Sequence, residues 1–502
     1  MRAGDGSWGI GVGVVALAFA LSASAQQLPA RIHAAIDGSP VARGAFWGIR
    51  IVDLDTGAVL FDLNPDRFFV PASNAKLFTT ALALARLGPG YRYETLVLAE
   101  TRPDASGTAR GVRLVGGGDP NLSPRAIPYR TGAAEGNPLQ AIEELADQVV
   151  ARGVRRVEGG ITGDDTAYLW EPYPEGWAAE DTIWEYGAAV SALAVNDNAF
   201  TLRLRPGERP GQLARLTLSP PLEYYEIDNR VRTVARGGER RIRIDREPGF
   251  RQLRLWGTLP AGDKGYGTLL AIDEPARYAA LALKDALERR GVAVSGGVQV
   301  RHMFSNQVPD PALGPAPVPQ PGTELARRVS APLVEDLRIT AKVSQNLHAE
   351  MNLRAVARIR RGIGSRQAGI EEMRLFLDEA GIGRTSYNLV DGSGLARLNL
   401  VTPAAMSRLL TYMWKLPVRE HWLSLLPVGG EDGTLAHRFQ QGSAAGRIRA
   451  KTGTLTGVSA LSGYAEPRRG GHLAFAILVN NYNGAAGEIR SVMDRICSLM
   501  VE

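Results

Sequence analysis

Phe69-Val70-Pro71-Ala72-Ser73-Asn74-Ala75-Lys76-Leu77-Phe78 is the stretch on which the reading of this chain turns. Pro71 signals a turn. The leucines and alanines up to Leu87 are strong helix formers, and Gly88-Pro89-Gly90 stops them. Ser73 is therefore expected at or just inside a helix N-terminus, with Lys76 three residues on and on the same face. A serine hydroxyl is a weak nucleophile until a base takes its proton, and a lysine becomes that base only when its pKa is lowered. Burial at the positive end of a helix lowers it. Ser-x-x-Lys also arises by chance, so on these residues alone Ser73 reads as a helix cap and Lys76 as a solvated charge.

Working outward, Phe46–Val52 and Ala58–Leu63 read as a hairpin around Asp55-Thr56-Gly57. It feeds the Ser73 helix. At the far end of the chain, a strand over 446–453 ends in Lys451-Thr452-Gly453. Two more strands span Val458–Ala465 and His472–Asn480, and a helix over 488–500 puts Ile489, Val492, Met493, Ile496 and Met500 on one face. Cys497 sits in that helix and reads as packing. Between 323 and 400 the texture is helical, with Ser344-Gln345-Asn346 at a turn before or between helices. The middle is β-rich, from Tyr93–Glu100 through a strand at 154–162 that ends in the turn Gly163-Asp164-Asp165-Thr166, to a proline-rich linker at 306–322. The aromatic segment 168–200, with Trp170, Trp177, Trp184 and Tyr186, reads as packing more than as a binding wall. A sheet made from both chain ends thus encloses an insertion.

Composition narrows the class. The chain has 502 residues, too many for one ordinary core, with 45% hydrophobic and 22% charged residues, as in soluble globular proteins. The net charge is +6, without a dense basic tract. Arg230–Arg251 is the most basic region, but acidic and apolar residues interrupt it, so a solvated strand face is expected and nucleic acid is not an expected partner. Arg2, the apolar run 9–21 and Ala23-Ser24-Ala25 read as a signal peptide over residues 1–25, with an uncleaved anchor as the alternative. An exported, periplasmic or wall-associated protein follows, with peripheral membrane or cell-wall association left open. With one cysteine no intrachain disulfide forms.

Three short motifs now stand in order: Ser73-x-x-Lys76, Ser344-x-Asn346 and Lys451-Thr452-Gly453. Each alone is weak; the ordered set, each in fitting local context, is strong. It resembles the serine penicillin-recognising enzymes. Ser344 lies 271 positions after Ser73, a gap that resembles the D-alanyl-D-alanine carboxypeptidase/endopeptidases of peptidase family S13, the class C low-molecular-mass penicillin-binding proteins of the penicillin-binding protein 4 type. Supporting stretches are Tyr186–Asn198, Asp391-Gly392-Ser393-Gly394-Leu395 and Gly433-Thr434-Leu435.

The resemblance implies an α+β fold: a β-lactamase/transpeptidase-like domain, an antiparallel sheet flanked by helices, formed by residues 26–90 and 323–502. Residues 91–322 are then the β-rich insertion, with two nested domains as one arrangement. It implies a serine DD-peptidase acting on peptidoglycan stem peptides, inhibited by β-lactams, with no cofactor or metal. Ser73 would be the nucleophile, Lys76 its base and Ser344 a proton relay between Lys76 and Lys451. Asn346 would hold the peptide amide. Lys451, Thr452 and Thr454 would bind the terminal carboxylate, and Gly453 would leave room for substrate. The N–H groups of Ser73 and Thr454 would bind the oxyanion. The family commonly carries Asp or Asn where this chain has Gln345. Asp165 matches an acidic position thought to meet the stem-peptide amino group; the other reading is a solvated turn.

Rival readings have less support. No histidine falls in a nucleophile motif. His348-Ala349-Glu350 resembles half a zinc-deaminase signature but lacks the Cys-x-x-Cys half, so His348 is expected on a helix surface. Ser393, between glycines, is expected in a tight turn beside the site. A β-lactamase or esterase on the same fold is the alternative enzyme, and a non-catalytic cell-wall-binding scaffold the alternative class. Carboxypeptidase and endopeptidase action differ only in the leaving group and are not separable at this level.

Overall fold

The computed structural model describes residues 27–132, 136–247, 249–308 and 321–502. The expected signal peptide lies outside the described residues, as does most of the proline-rich linker. No helix among the described residues is long and apolar enough to cross a membrane.

A five-stranded sheet assembled from both ends of the chain carries Lys451-Thr452-Gly453 on its edge strand. Its order is Ile448–Leu455, Val458–Ala465, Leu473–Asn480, Phe46–Asp53, Val59–Leu63, antiparallel throughout. Side chains alternate across a strand, and here both faces are covered. Phe475, Ile477 and Val479 pack on Ile49, Ile489 and Ile496. Ala474, Ala476 and Leu478 belong to the opposite core, with Phe78, Met351 and Leu409. Helix Ala486–Val501 covers the first face and buries Cys497. Helices Ala75–Leu87, Leu333–Lys342, Asn346–Arg361 and Pro403–Lys415 contribute to the second.

Helix Ala75–Leu87 lies inside this second layer, buried from Ala75 to Leu84. Each buried Leu or Phe is worth roughly 1.5–3 kcal/mol, against tenths of a kcal/mol per residue from helix propensity. Packing of Leu77, Phe78, Leu82 and Leu84 therefore fixes the helix position. It ends where expected, at Gly88 with φ +79, a left-handed conformation that favours glycine.

The insertion has a core of its own, which runs through Val97, Leu145, Ile161, Phe200, Leu253 and Leu283. Its main sheet orders Ala293–Val294, Arg156–Leu169, Thr108–Gly116, Glu94–Ala99 and Thr323–Val329, with Val298–Met303 also paired to Arg156–Leu169. Two three-stranded sheets lie between, within residues 199–271. Strand Thr323–Val329 pairs with Glu94–Ala99, so the pairing of the insertion continues past residue 322.

One local expectation fails here. Strand Arg156–Leu169 runs straight through Gly163-Asp164-Asp165-Thr166 instead of turning. Partners on both sides hold it extended. Its two aspartates are paired, Asp164 with Arg113 and Arg301 and Asp165 with His302. A solvated turn at Asp165 is thereby excluded, since the residue is 2% exposed.

Candidate active site

Ser73 sits in a 3-10 turn, Ala72–Asn74, that opens directly into helix Ala75–Leu87. It is not a helix cap, because no side chain caps this helix start. Ala72 has φ +48, a left-handed conformation costly for a residue with a Cβ. The surroundings over-determine it. Asn480, at the end of the third sheet strand, accepts from Val70 N–H at 2.8 Å and donates to Val70 O at 3.2 Å. Asn74 Nδ2 donates to Lys451 O at 2.9 Å, tying the turn to the edge strand.

Lys76 is fully buried. Its Nζ lies 2.9 Å from Ser73 Oγ, 2.6 Å from Asn346 Oδ1 and 2.7 Å from Ser393 O. Burial pushes its pKa down to about 7, against the opposing pull of Asp391 and Glu350. Two of the three neighbours, an amide oxygen and a carbonyl, only accept. Asn346 is held in that orientation because its Nδ2 donates to Tyr186 O at 2.7 Å. The third contact of Nζ is to the Ser73 hydroxyl oxygen, to which it donates.

The second motif lies in the break between helices Leu333–Lys342 and Asn346–Arg361. Ser344 has φ +65, and Lys451 Nζ donates to its Oγ at 2.8 Å and to Thr452 O at 2.8 Å. Lys451 is also fully buried; burial and the charge of Lys76 hold its pKa well below the ordinary lysine value. Lys76 thus meets this motif through Asn346, while Ser344 is bound by Lys451. Thr452 Oγ1 donates to Thr434 Oγ1 at 2.8 Å, which brings in the Gly433-Thr434-Leu435 turn.

Gly453 also lies close to the nucleophile turn. A Cβ there would stand 2.8 Å from Pro71 O and 3.0 Å from Ser73 N. The missing side chain makes room for the Ser73 turn, so that the edge strand and the Ser73 amide approach closely. Thr454 follows on the same strand and lines, with Ser73, Ser344 and Asn346, a cleft of about 490 Å³.

Glu350 was not singled out as a site residue from sequence, and Tyr186, read there as packing, lines the cleft. Glu350, fully buried on the helix after Asn346, accepts from the N–H groups of Gly392 and Ser393 at 2.8 and 2.9 Å and pairs with Arg354 at 3.0 Å. It aims the Ser393 carbonyl at Lys76, so the 391–394 turn is part of the site and not merely beside it. The i, i+4 spacing of Glu350 and Arg354 was the available signal. His348 is fully buried, not on a helix surface; it lies between Asp197 and Asp336. Tyr186, 40% exposed, forms part of the cleft wall, as do Glu180, Asp181 and Arg397. Asp165 is not among these wall residues. Its carboxylate accepts from Ser191 Oγ at 2.8 Å and lies 2.8 Å from His302 Nδ1.

Comparison with known proteins agrees with this geometry. Residues 28–499 match the D-Ala-D-Ala carboxypeptidase 3 (S13) family. A D-alanyl-D-alanine carboxypeptidase of an Actinomadura species is 36% identical over 482 residues, which cover 94% of this chain and 84% of that protein. The D-alanyl-D-alanine carboxypeptidase DacB of Haemophilus influenzae is 25% identical, over 90% of this chain and 88% of the relative. The crystal structure of penicillin-binding protein 4 from Haemophilus influenzae superposes with a TM-score of 0.78 over 93% of this chain and 98% of that one, at 23% identity, and so shares the α+β fold. With a match that spans the whole sheet, its helices and the insertion, the chain belongs to the S13 family of D-Ala-D-Ala carboxypeptidases.

Proposed function

We propose that the protein hydrolyses the D-Ala–D-Ala bond of peptidoglycan stem peptides through an acyl-enzyme on Ser73, and that β-lactams acylate the same hydroxyl. The observation that carries this is the buried Lys76 Nζ, its pKa lowered to about 7, lying 2.9 Å from Ser73 Oγ. Lys76 takes the hydroxyl proton as Ser73 attacks the carbonyl of the penultimate D-alanine. The N–H groups of Ser73 and Thr454 receive the oxyanion, and the close approach at Gly453 supports that pairing. Asn346 fixes the base and borders the peptide; Thr452 and Thr454 hydroxyls meet the terminal carboxylate.

Lys451 completes the proton path. Burial and Lys76 hold its pKa well below the ordinary lysine value, and an arriving carboxylate raises its proton affinity. Protonated there, it supplies Ser344 Oγ, 2.8 Å away, which passes a proton to the leaving D-alanine amine. Water then cleaves the ester, giving up a proton that restores Lys451 while Lys76 returns its proton to the Ser73 oxygen. The wall residues Glu180, Asp181 and Arg397 offer both signs of charge to the side chain that precedes D-alanine. A cross-linked peptide differs only in its leaving amine, so the same chemistry serves endopeptidase action. Such a substrate belongs to the periplasm, in keeping with the leader read at 1–25.

The test is mass spectrometry of muropeptides and of the enzyme after penicillin treatment. Loss of D-alanine, and a penicilloyl adduct on the Ser73 peptide that is absent in Ser73→Ala, are expected. D-alanine release by Ser73→Ala at the wild-type rate overturns the assignment. Rapid penicillin turnover without an adduct favours the β-lactamase alternative.

A further inference from the structure

Ser344 must be held in a left-handed conformation to present its hydroxyl to Lys451, and something has to hold it there. Its neighbour Gln345 caps helix Asn346–Arg361 by accepting from Leu347 N–H at 3.1 Å. The other end of that amide reaches into the insertion: Gln345 Nε2 donates to Asp197 Oδ2 at 3.0 Å. One turn along the same helix, His348 Nε2 meets Asp197 Oδ1 at 3.1 Å. A single buried carboxylate therefore grips two residues of the Ser344 segment at once.

The rest of the cluster immobilises that carboxylate. Arg125 pairs with Asp197 from the insertion. On its far side, His348 Nδ1 lies 2.7 Å from Asp336 Oδ1. Asp336 in turn accepts from Asn121 Nδ2 at 2.8 Å and Asn352 Nδ2 at 2.6 Å. Burial disfavours charge on these groups, but Arg125 and His348 hold Asp197 ionised, and Asp336 and Asp197 hold His348 protonated.

Asn196, Asp197 and Asn198 all have positive φ, at +51, +56 and +51. Three consecutive side-chain-bearing residues in that region are maintained only where the surroundings enforce it. Here Asn196 donates to Ala199 O at 2.8 Å and Asn198 to Ala189 O at 2.9 Å. The turn aims the Asp197 carboxylate outward, at the helix that begins with Asn346.

We propose that Asp197 is a positioning residue of the reaction: through Gln345 and His348 it holds the Ser344 turn in register with Lys451, so that the insertion sets the geometry of proton delivery. This also accounts for Gln345. An Asp at that position would set a second carboxylate beside Asp197, whereas Gln is neutral, long enough to span the gap and able to donate at one end and accept at the other. The proposal rests on the Ser73 acyl-enzyme reading.

Asp197→Asn, Gln345→Met and the double variant of the full-length protein are compared for penicillin acylation rate, for kcat and KM on a D-Ala-D-Ala peptide, and for Tm. The control is Leu145→Ala, a core truncation in the insertion. Each single variant is expected to slow acylation at least tenfold and to lower kcat, with KM within twofold of wild type. The double variant should be no slower than the slower single, because both act through one contact. Leu145→Ala, at equal or lower Tm, should keep wild-type kinetics. Wild-type acylation by Asp197→Asn, losses that multiply in the double variant, or the same slowing in Leu145→Ala overturns the proposal. If Asp197→Asn does not fold, Gln345→Met decides alone, with a wild-type rate as the negative outcome. A wild-type enzyme without acylation sinks the underlying reading instead; active wild type with unaffected variants sinks only this one.

Discussion

Two lysines lie buried in one site, and their surroundings differ. Lys76 has carboxylates within reach: Asp391 and Glu350 favour its charged form and leave its pKa near 7. At Lys451, burial and Lys76 itself both oppose the charge. Protonating one makes protonating the other harder. The difference teaches where a proton can rest. Asp391 and Glu350 favour a proton taken up on the Lys76 side, next to the nucleophile. Moving it to the Lys451 side requires a new negative charge near Lys451, which a peptide carboxylate supplies. The asymmetry thus orders the steps: base first, acid after binding.

The strongest way to break this comparison is to delete the side expected to act first. Lys76→Met should lower the rate of Ser73 acylation by about 10³-fold or more, given the roughly 10²–10⁴ that a positioned base contributes. Stopped-flow penicillin acylation reads this out. The same variant checks the protonation state through stability. A lysine whose folded pKa is depressed binds a proton in the unfolded state but not in the folded one between about 7 and its ordinary 10.5. Folding is therefore favoured more as pH rises through that window. The Tm of the wild type, relative to Lys76→Met, should climb from pH 7 to pH 10. A flat difference means that Lys76 keeps its proton when folded.

Gly453→Ala tests the distance between the two sides. The new Cβ presses on Pro71 O and Ser73 N, so the edge strand must back away from the nucleophile turn. Displacing an oxyanion donor of this kind costs about 10²-fold in kcat, with little change in Tm if the strand shifts as a unit. Acylation at the wild-type rate would show that the close approach is not needed for the reaction.

How far this site could be read from sequence follows the same division. Ser73, Lys76, Ser344, Asn346 and Lys451 are legible because the chemistry demands those residue types at short fixed spacings. The sheet strands are legible because Phe475, Ile477 and Val479 alternate with Ala474, Ala476 and Leu478. What holds the lysines is less legible. Glu350 and Asp391 are ordinary acidic residues in sequence and acquire meaning only when helix and turn bring them to Lys76. Asp165 looked like turn polarity because Gly163-Asp164-Asp165 is turn-like composition. The arginines and the histidine that pair with those two aspartates lie far off in the chain, at 113, 301 and 302. That Pro71 lies against Gly453 is likewise invisible in the sequence, because the two are 382 positions apart.

The pH profile sharpens the comparison without changing a residue. With Lys76 as the base, acylation by a neutral-site penicillin should follow the unprotonated fraction of a group titrating near 7. The rate should then fall about tenfold per pH unit below that point and level off above it. A rising limb centred above pH 9 would place the proton permanently on Lys76 and remove the asymmetry.

The smallest effect belongs to the Lys451 side. Thr434 holds the Thr452 hydroxyl by accepting from it at 2.8 Å, beside the strand edge that is to receive the carboxylate. Thr434→Val keeps the shape and removes the acceptor. One hydrogen bond of this type is worth about 1 kcal/mol, so KM for a D-Ala-D-Ala peptide should rise about fivefold with kcat nearly unchanged. The sign of the split is the informative part. Lys76 acts on the hydroxyl whether or not a carboxylate is bound, and a minimal ester substrate without that carboxylate should not feel Thr434→Val. If ester and peptide lose equally, the Thr452 edge does not bind the carboxylate, and the proton on Lys451 needs another source of negative charge.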